Sequence, residues 1–198
     1  MSSEPETGFV TKMYEDGSKY VGWMRKGLKH GTGTYTSENG IVHEGIFDKD
    51  KQTNYGTETW TCGSSYHGEY ENGYKNGKGV FQWSNGTSYA GYFKNDEQHG
   101  MGTYNFPDGR IYVGLWHNGR KHGKGTMKWP DGRKYHGEFV SDIISGYGVY
   151  KMKNGAIFEG YFQNGKKHGR GRYVNSRGYL QEGEWRRGKR LNNVLSYK

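Results

Sequence analysis

The sequence predicts an all-β fold, a single-layer antiparallel meander of β-hairpins forming an elongated rod. Three observations predict it. The 198-residue chain repeats every 23 residues without a gap, all 35 glycines fall in five slots of that repeat, and two short segments per repeat alternate with period two.

With Tyr20 as slot 1, that slot holds Tyr20, His43, Tyr66, Tyr89, Tyr112, Tyr135, Phe158 and Gln181. Slots 3, 8, 12, 14 and 21 hold 8, 5, 7, 7 and 8 glycines, which accounts for all 35. A glycine-rich catalytic loop is built once, whereas a need met in every repeat is structural. The frame gives an N-terminus over 1–7 that is expected to be flexible and an array over 8–190. The array comprises a partial unit (8–19), seven full repeats (20–180) and a second partial unit (181–190), followed by a tail over 191–198.

Each repeat reads as one hairpin. Residues 66–70, YHGEY, and 79–83, GVFQW, alternate as strands do. Dipeptides such as Asn39-Gly40, Asn85-Gly86, Asp108-Gly109, Asp131-Gly132 and Asn154-Gly155 are expected to supply the positive φ of a tight hairpin turn. Helix is disfavoured, because the glycine spacing breaks every candidate segment.

Strand parity then sorts the faces. Of 32 aromatic residues, 23 occupy slots 1, 5, 16 and 18, on the same face as the glycines of slots 3 and 14. Bare glycine backbone leaves room for rings. The opposite face, carrying Thr, Lys, Glu and Val, is expected to be wet. A single layer cannot cover all its rings, so the aromatic face is read as a groove that binds protein segments, an amphipathic helix being a natural occupant. Its candidate rings are Tyr66, Tyr70, Phe81, Trp83, Tyr89, Phe93, Tyr104, Phe106, Tyr112, Trp116, Trp129, Tyr135 and Phe139.

Charge adds a second candidate surface. The chain has 29 Lys plus Arg against 20 Asp plus Glu, a formal net charge of +9, which favours acidic partners. In slots 6–11 the repeats starting at Tyr20, Tyr66, Tyr112 and Phe158 carry +3, 0, +2 and +2, and the three between them carry 0, −1 and −1. Slot 8 alternates in step: Gly27, Asp50, Gly73, Asp96, Gly119, Asp142, Gly165. Gly188 breaks the alternation. Hairpin pairs of 46 residues therefore form a superperiod. Arg25, Lys26, Lys29, Arg120, Lys121, Lys124, Lys166, Lys167, Arg186 and Arg187 are read as basic tips along one edge.

Enzyme chemistry is not indicated, and no cofactor or metal is expected. His30, His99, His122 and His168 recur at slot 11, but Thr53, Asn76 and Ser145 interrupt the row. A strand of that slot returns only about 10 Å away, too far for shared ligation. Residues 119–126, GRKHGKGT, fall one residue short of a phosphate-binding loop and precede no helical pattern. Cys62, the single cysteine, can form no internal disulfide and fits a reducing compartment. No charged-plus-apolar leader and no apolar run of about 18 residues is visible.

The pattern Tyr-x-Gly-x-Phe/Trp-x-x-Gly-x-x-His-Gly-x-Gly-x-Tyr, nearly complete in residues 112–134 (YVGLWHNGRKHGKGTMKWPDGRK), resembles the MORN (membrane occupation and recognition nexus) repeat. The resemblance spans about residues 8–190. It implies hairpin rods used as scaffolds in radial-spoke heads of motile cilia, membrane junctions and basal cytoskeletal assemblies, or as regulatory arms of lipid kinases and methyltransferases. With no such enzyme alongside the array, the expectation is a non-catalytic scaffold or adaptor of a cytoskeletal or ciliary assembly. It would be located in the cytoplasm and cytoskeleton, at the axoneme of a cilium or flagellum. Other proteins in a larger complex are the expected partners, with acidic tails, anionic lipids and a second copy as further candidates and no nucleic acid. The alternative is a peripheral membrane adaptor binding anionic phospholipid through the basic tips. The second repeat departs most: Thr53-Asn54 replaces His-Gly and Glu58 replaces a ring, so it is expected to be the weak link.

Overall fold

The computed structural model describes residues 7–191 and is all-β. Seventeen antiparallel strands form one open, single-layer sheet, a meander of hairpins with no helix among the described residues. Apart from Thr7 and Leu191, the expected terminal segments 1–7 and 191–198 lie outside the described residues.

The chain divides into two compact units, residues 1–98 and 99–198. The first carries β1 (Gly8–Met13), β2 (Lys19–Arg25), β3 (Leu28–Thr36), β4 (Val42–Asp48), β5 (Lys51–Thr59), β6 (Ser65–Glu71), β7 (Tyr74–Gln82) and β8 (Ser88–Lys94). β9 (Glu97–Asn105) pairs with β10 (Ile111–His117) in the second unit. That unit continues with β11 (Arg120–Lys128), β12 (Lys134–Val140), β13 (Ile143–Lys151), β14 (Ile157–Gln163), β15 (Lys166–Val174), β16 (Leu180–Arg186) and the short β17 (Lys189–Arg190).

One repeat explains the local geometry. The tight two-residue turn lies at slots 7 and 8, not at the Asn-Gly and Asp-Gly dipeptides. Both of its residues have positive φ, for example Lys49 (48°) with Asp50 (69°), and Asn118 (49°) with Gly119 (72°). These are the conformations of a primed hairpin turn, which Asn, Asp and Gly tolerate best. The expected turn dipeptides sit in a longer connection in which only the glycine is left-handed, such as Gly86 (85°). There the slot 18 residue and Gly of slot 21 close the loop, as in Gly86 N–H donating to the Trp83 carbonyl at 3.0 Å.

Between the turns the hairpins β2–β3, β4–β5, β6–β7, β10–β11, β12–β13 and β14–β15 each carry a bulge. In the repeat from Tyr112, Gly114 pairs with Gly125 and Trp116 with Lys121, so Leu115 alone faces His122-Gly123-Lys124. The middle residue is left-handed, which is why slot 12 is glycine (Gly123, φ 67°). In the second repeat Asn54 takes the same conformation at φ 56°, so losing His-Gly there does not cost the bulge.

The bulge and the glycine pair make the seat for the slot 1 ring. Gly114 and Gly125 face each other, and a Cβ built on Gly114 would lie 2.6 Å from the Tyr112 hydroxyl and 2.5 Å from the Gly125 Cα. The tyrosine therefore lies flat over bare backbone. Its hydroxyl donates to the carbonyl of Leu115, the residue left out of the ladder in its own hairpin, at 2.9 Å. Tyr20, Tyr66, Tyr89 and Tyr135 make the equivalent bond at 2.8, 3.0, 2.8 and 3.0 Å. Phe158 keeps the packing, though without a hydroxyl.

Candidate protein-interaction surface

Rings of slots 1 and 5 interlock edge to face. In the second unit Trp116, Tyr112, Phe139, Tyr135, Phe162, Phe158 and Trp185 form an unbroken series, with neighbouring ring centroids 5.0–5.3 Å apart. Such contacts contribute beyond the area they bury, by about 0.5–1.5 kcal/mol each. In the first unit Tyr20 meets Phe47 at 5.6 Å, and a separate series joins Tyr70, Tyr66, Phe93 and Tyr89. This is the core of the sheet, built without a second layer.

The expected groove is corrected accordingly. Tyr66, Tyr70, Tyr89, Phe93, Tyr112, Trp116, Tyr135 and Phe139 are 0–6% exposed and hold the repeats together. They offer almost no surface to a partner, because each ring is covered by its neighbours in slots 1 and 5. The remaining candidates, Phe81, Trp83, Tyr104, Phe106 and Trp129, are half-buried. In the first unit Trp60, Phe81 and Trp83 stack at 5.1 and 4.3 Å; in the second, Tyr104 and Phe106 stand 4.6 Å apart and Trp129 meets Tyr150 at 5.9 Å. Slots 16 and 18 thus supply the accessible rings of this face.

The basic residues also separate. Arg25, Lys26, Arg120, Lys124, Lys166, Arg186 and Arg187 are exposed. Lys29, Lys121 and Lys167, all in slot 10, are not tips. Slot 10 pairs with slot 5 across the tight turn, so these side chains fold onto the aromatic face. Lys29 Nζ lies 4.2 Å from the Tyr35 ring centre, and Lys121 Nζ lies 5.6 Å from that of Trp116. Lys75, which the sequence reading passed over, occupies the same place 5.0 Å from Trp60.

Aspartates of slot 8 complete this arrangement. The backbone N–H groups of Lys29, Lys75 and Lys121 donate to Asp50, Asp96 and Asp142 on the next tip at 2.8, 2.8 and 3.1 Å. Lys121 Nζ also meets Asp142 Oδ1 at 2.6 Å. Burial opposes ionisation of Asp142, but the hydrogen bonds from Lys121 outweigh it and hold the carboxyl below its usual range. Burial lowers the Lys29 ammonium pKa, and Asp50 partly offsets this. The alternation of Gly and Asp in slot 8 was the legible trace of these pairs.

The other face is less plain than expected. Tyr55, Tyr92, Tyr147 and Tyr161 are 43–54% exposed there, with Tyr147 and Tyr161 at 5.4 Å. These rings occupy slots 4 and 13, where strand parity turns them outward.

Other motifs dissolve into the sheet. His99, His117 and His122 stand in a row at 5.2 and 5.9 Å, yet no group of three possible metal ligands exists among the described residues. The segment resembling a phosphate loop is strand β11 with its turn and bulge. Cys62 is exposed, its thiol donating to Ser64 Oγ at 3.3 Å. No described helix is long and apolar enough to cross a membrane.

With this geometry the family is defined. The MORN repeat model matches residues 20–42, 43–65, 66–88, 89–109, 112–132, 135–157, 158–178 and 182–190, and the chain belongs to the MORN repeat family. No curated protein matches the chain. Among solved structures it is similar to the SAS-4 (dCPAP) TCP domain of Drosophila melanogaster, in complex with a proline-rich motif of Ana2 (dSTIL). That likeness has 10% identity and a TM-score of 0.49, over 93% of this chain and 97% of that one. It is also similar to the CPAP G-box domain, at 14% identity and a TM-score of 0.48, over 90% of this chain and 100% of that one. Neither likeness carries weight about function.

Proposed function

We propose that this MORN array is a non-catalytic scaffold that holds partner protein segments within a cytoskeletal assembly, the axoneme of a cilium or flagellum being the expected setting. The observation that carries the reading is the half-buried row of slot 16 and 18 rings. Trp60, Phe81 and Trp83 in one unit, and Tyr104, Phe106 and Trp129 in the other, keep ring surface open because the sheet has one layer. Aromatic anchors of this kind dominate protein interfaces, at about 2 kcal/mol or more per hot spot.

The test is capture of partners from a cytoskeletal fraction of ciliated cells by the whole chain and by Trp83→Ser and Trp129→Ser variants that melt like wild type. Loss of capture in these variants is expected. Unchanged capture would remove the groove as the binding surface, and a diffuse cytosolic distribution of the tagged chain would remove the axoneme.

A second reading rests on the exposed Arg25, Lys26, Arg120, Lys166, Arg186 and Arg187. Near an anionic bilayer each such charge contributes about 1 kcal/mol. Salt-sensitive sedimentation with phosphatidylserine vesicles, lost when these residues are neutralised, supports the membrane adaptor.

A further inference from the structure

Slot 10 of each repeat faces slot 8 of the next, and the two residues are chosen together. Lys29 faces Asp50, Lys75 faces Asp96, and Lys121 faces Asp142. Where slot 10 is Gln52, Gln98 or Ile144, slot 8 of the next repeat is Gly73, Gly119 or Gly165. The rule fails once. Lys167 is followed by Gly188, whose N–H donates to the Lys167 carbonyl at 2.8 Å and which has no side chain to return.

Lys167 is otherwise built like its counterparts. It is half-buried on the aromatic face, with Nζ 4.8 Å from the ring centres of both Phe158 and Tyr173. Among the described residues no carboxylate meets it. Burial alone pushes its ammonium pKa down, without the opposing aspartate that Lys29 has. A half-buried cation with no counter-ion is costly, and a carboxylate of matching geometry offsets that cost. The rim has the same preference: Arg186, Arg187, Lys189 and Arg190 surround Gly188 in sequence and are exposed.

We propose that the backbone N–H and Nζ of Lys167 form a receptor for one Asp or Glu side chain of an acidic partner segment, which takes the position that Asp50, Asp96 and Asp142 occupy in the earlier repeats. This deepens the scaffold reading by naming the chemistry of one anchor point. The partner carboxylate would accept hydrogen bonds from both donors, as Asp142 does from Lys121. Gly188, at φ 89°, leaves the space open, with nothing within 4 Å of where a Cβ would stand; the aspartates that fill this slot elsewhere have φ 67–73°, so Gly188→Asp requires a backbone adjustment of about 20°.

The experiment fills the site from within. A fluorescein-labelled hexa-aspartate peptide is titrated into the whole chain, into Lys167→Gln, into Gly188→Asp, and into Gly165→Asp. The last variant adds the same charge one tip earlier, opposite Ile144, where no lysine waits. Gly188→Asp and Lys167→Gln are each expected to weaken peptide binding at least about tenfold, the scale of a lost charged hydrogen bond, and Gly165→Asp less than about twofold. Gly188→Asp should also raise the melting temperature, which shows that the variant folds and that the pair has formed. Equal losses in Gly188→Asp and Gly165→Asp would overturn the proposal in favour of diffuse charge attraction, and no loss in either would overturn it outright. If Gly188→Asp spares the peptide but abolishes binding to phosphatidylserine vesicles, the site belongs to lipid and the proposal also fails. Peptide binding that depends on Lys167 supports the site even if the chain captures nothing from the cytoskeletal fraction, a result that counts against the scaffold reading alone.

Discussion

In the second unit seven rings from Trp116 to Trp185 touch in sequence; in the first, the corresponding series stops at His43. A polar group stands in the gap. Glu58 is buried where a slot 16 ring belongs. It accepts from Lys75 Nζ at 2.6 Å and from the Tyr70 hydroxyl at 3.4 Å, with His43 Nδ1 at 3.8 Å from its other oxygen. His43 Nδ1 also lies 3.4 Å from Gln52 Oε1, while Gln52 Nε2 is buried without a hydrogen-bond partner. The same backbone therefore accepts two interiors. Each of the five interior rings has two ring neighbours, so losing one opens a cavity but strands no polar group. The polar cluster is a set of mutual dependencies, in which one deletion orphans the rest.

Several substitutions probe this difference, beginning with the seat common to both units. Gly114→Val drives a side chain into Tyr112 and the Gly125 backbone, and should cost about 3–5 kcal/mol in chemical denaturation. Thr126→Val, on the opposite face, should change stability by no more than about 0.5 kcal/mol; similar losses for the two would break the account of the glycine pair. Phe139→Ala, between Tyr112 and Tyr135 and 2% exposed, should cost about 3–4 kcal/mol.

Glu58→Ala in the first unit leaves Lys75 with only Asp96, at 3.8 Å, and should cost about 2 kcal/mol. The double change His43→Tyr with Glu58→Phe restores two ring positions. It should recover at least that loss, since Lys75 keeps Asp96 and would lie over rings as Lys121, paired with Asp142, lies over Trp116. A double variant less stable than Glu58→Ala would show that the polar cluster is specifically required.

A pH titration gives a smaller effect. Burial raises the hydroxyl pKa of Tyr20 and Tyr135 to about 12 from an ordinary 10.0, and raises those of Tyr66 and Tyr70 as well. A folded pKa above the unfolded one means the unfolded chain loses its protons first. This stabilisation is therefore complete below about pH 10 and lost as pH rises toward about 12. Denaturation midpoints should fall across that window. A flat profile would mean that the slot 1 hydroxyls are not sealed.

Much of this was visible in the sequence. The 23-residue period, the hairpin, and the face shared by rings and glycines follow from spacing alone. Depth did not follow. Parity puts Tyr112 and Trp129 on one face, but only the edge-to-face packing shows that the first is sealed and the second half-open. Nor could spacing show that the tight turn falls at slots 7 and 8. Misplacing that turn made Lys29, Lys121 and Lys167 look like tips, whereas a two-residue turn returns slot 10 to the face of slot 5. The asparagine at slot 12 of the second repeat breaks the His-Gly pattern, but its tolerance of left-handed backbone makes it a substitute for glycine.

The lysine–aspartate pairs set a parity rule on the length of the array. Remove residues 43–65 and Lys29 would meet Gly73, a cation facing bare backbone, while Asp50, its counter-ion, leaves with the deleted hairpin. Remove the next hairpin as well and Lys29 meets Asp96, so the mismatch disappears. From Tyr20 to Gly165 the array can thus grow or shrink without an electrostatic fault only in steps of two hairpins, so over that stretch the unit of charge pairing is twice the unit of folding.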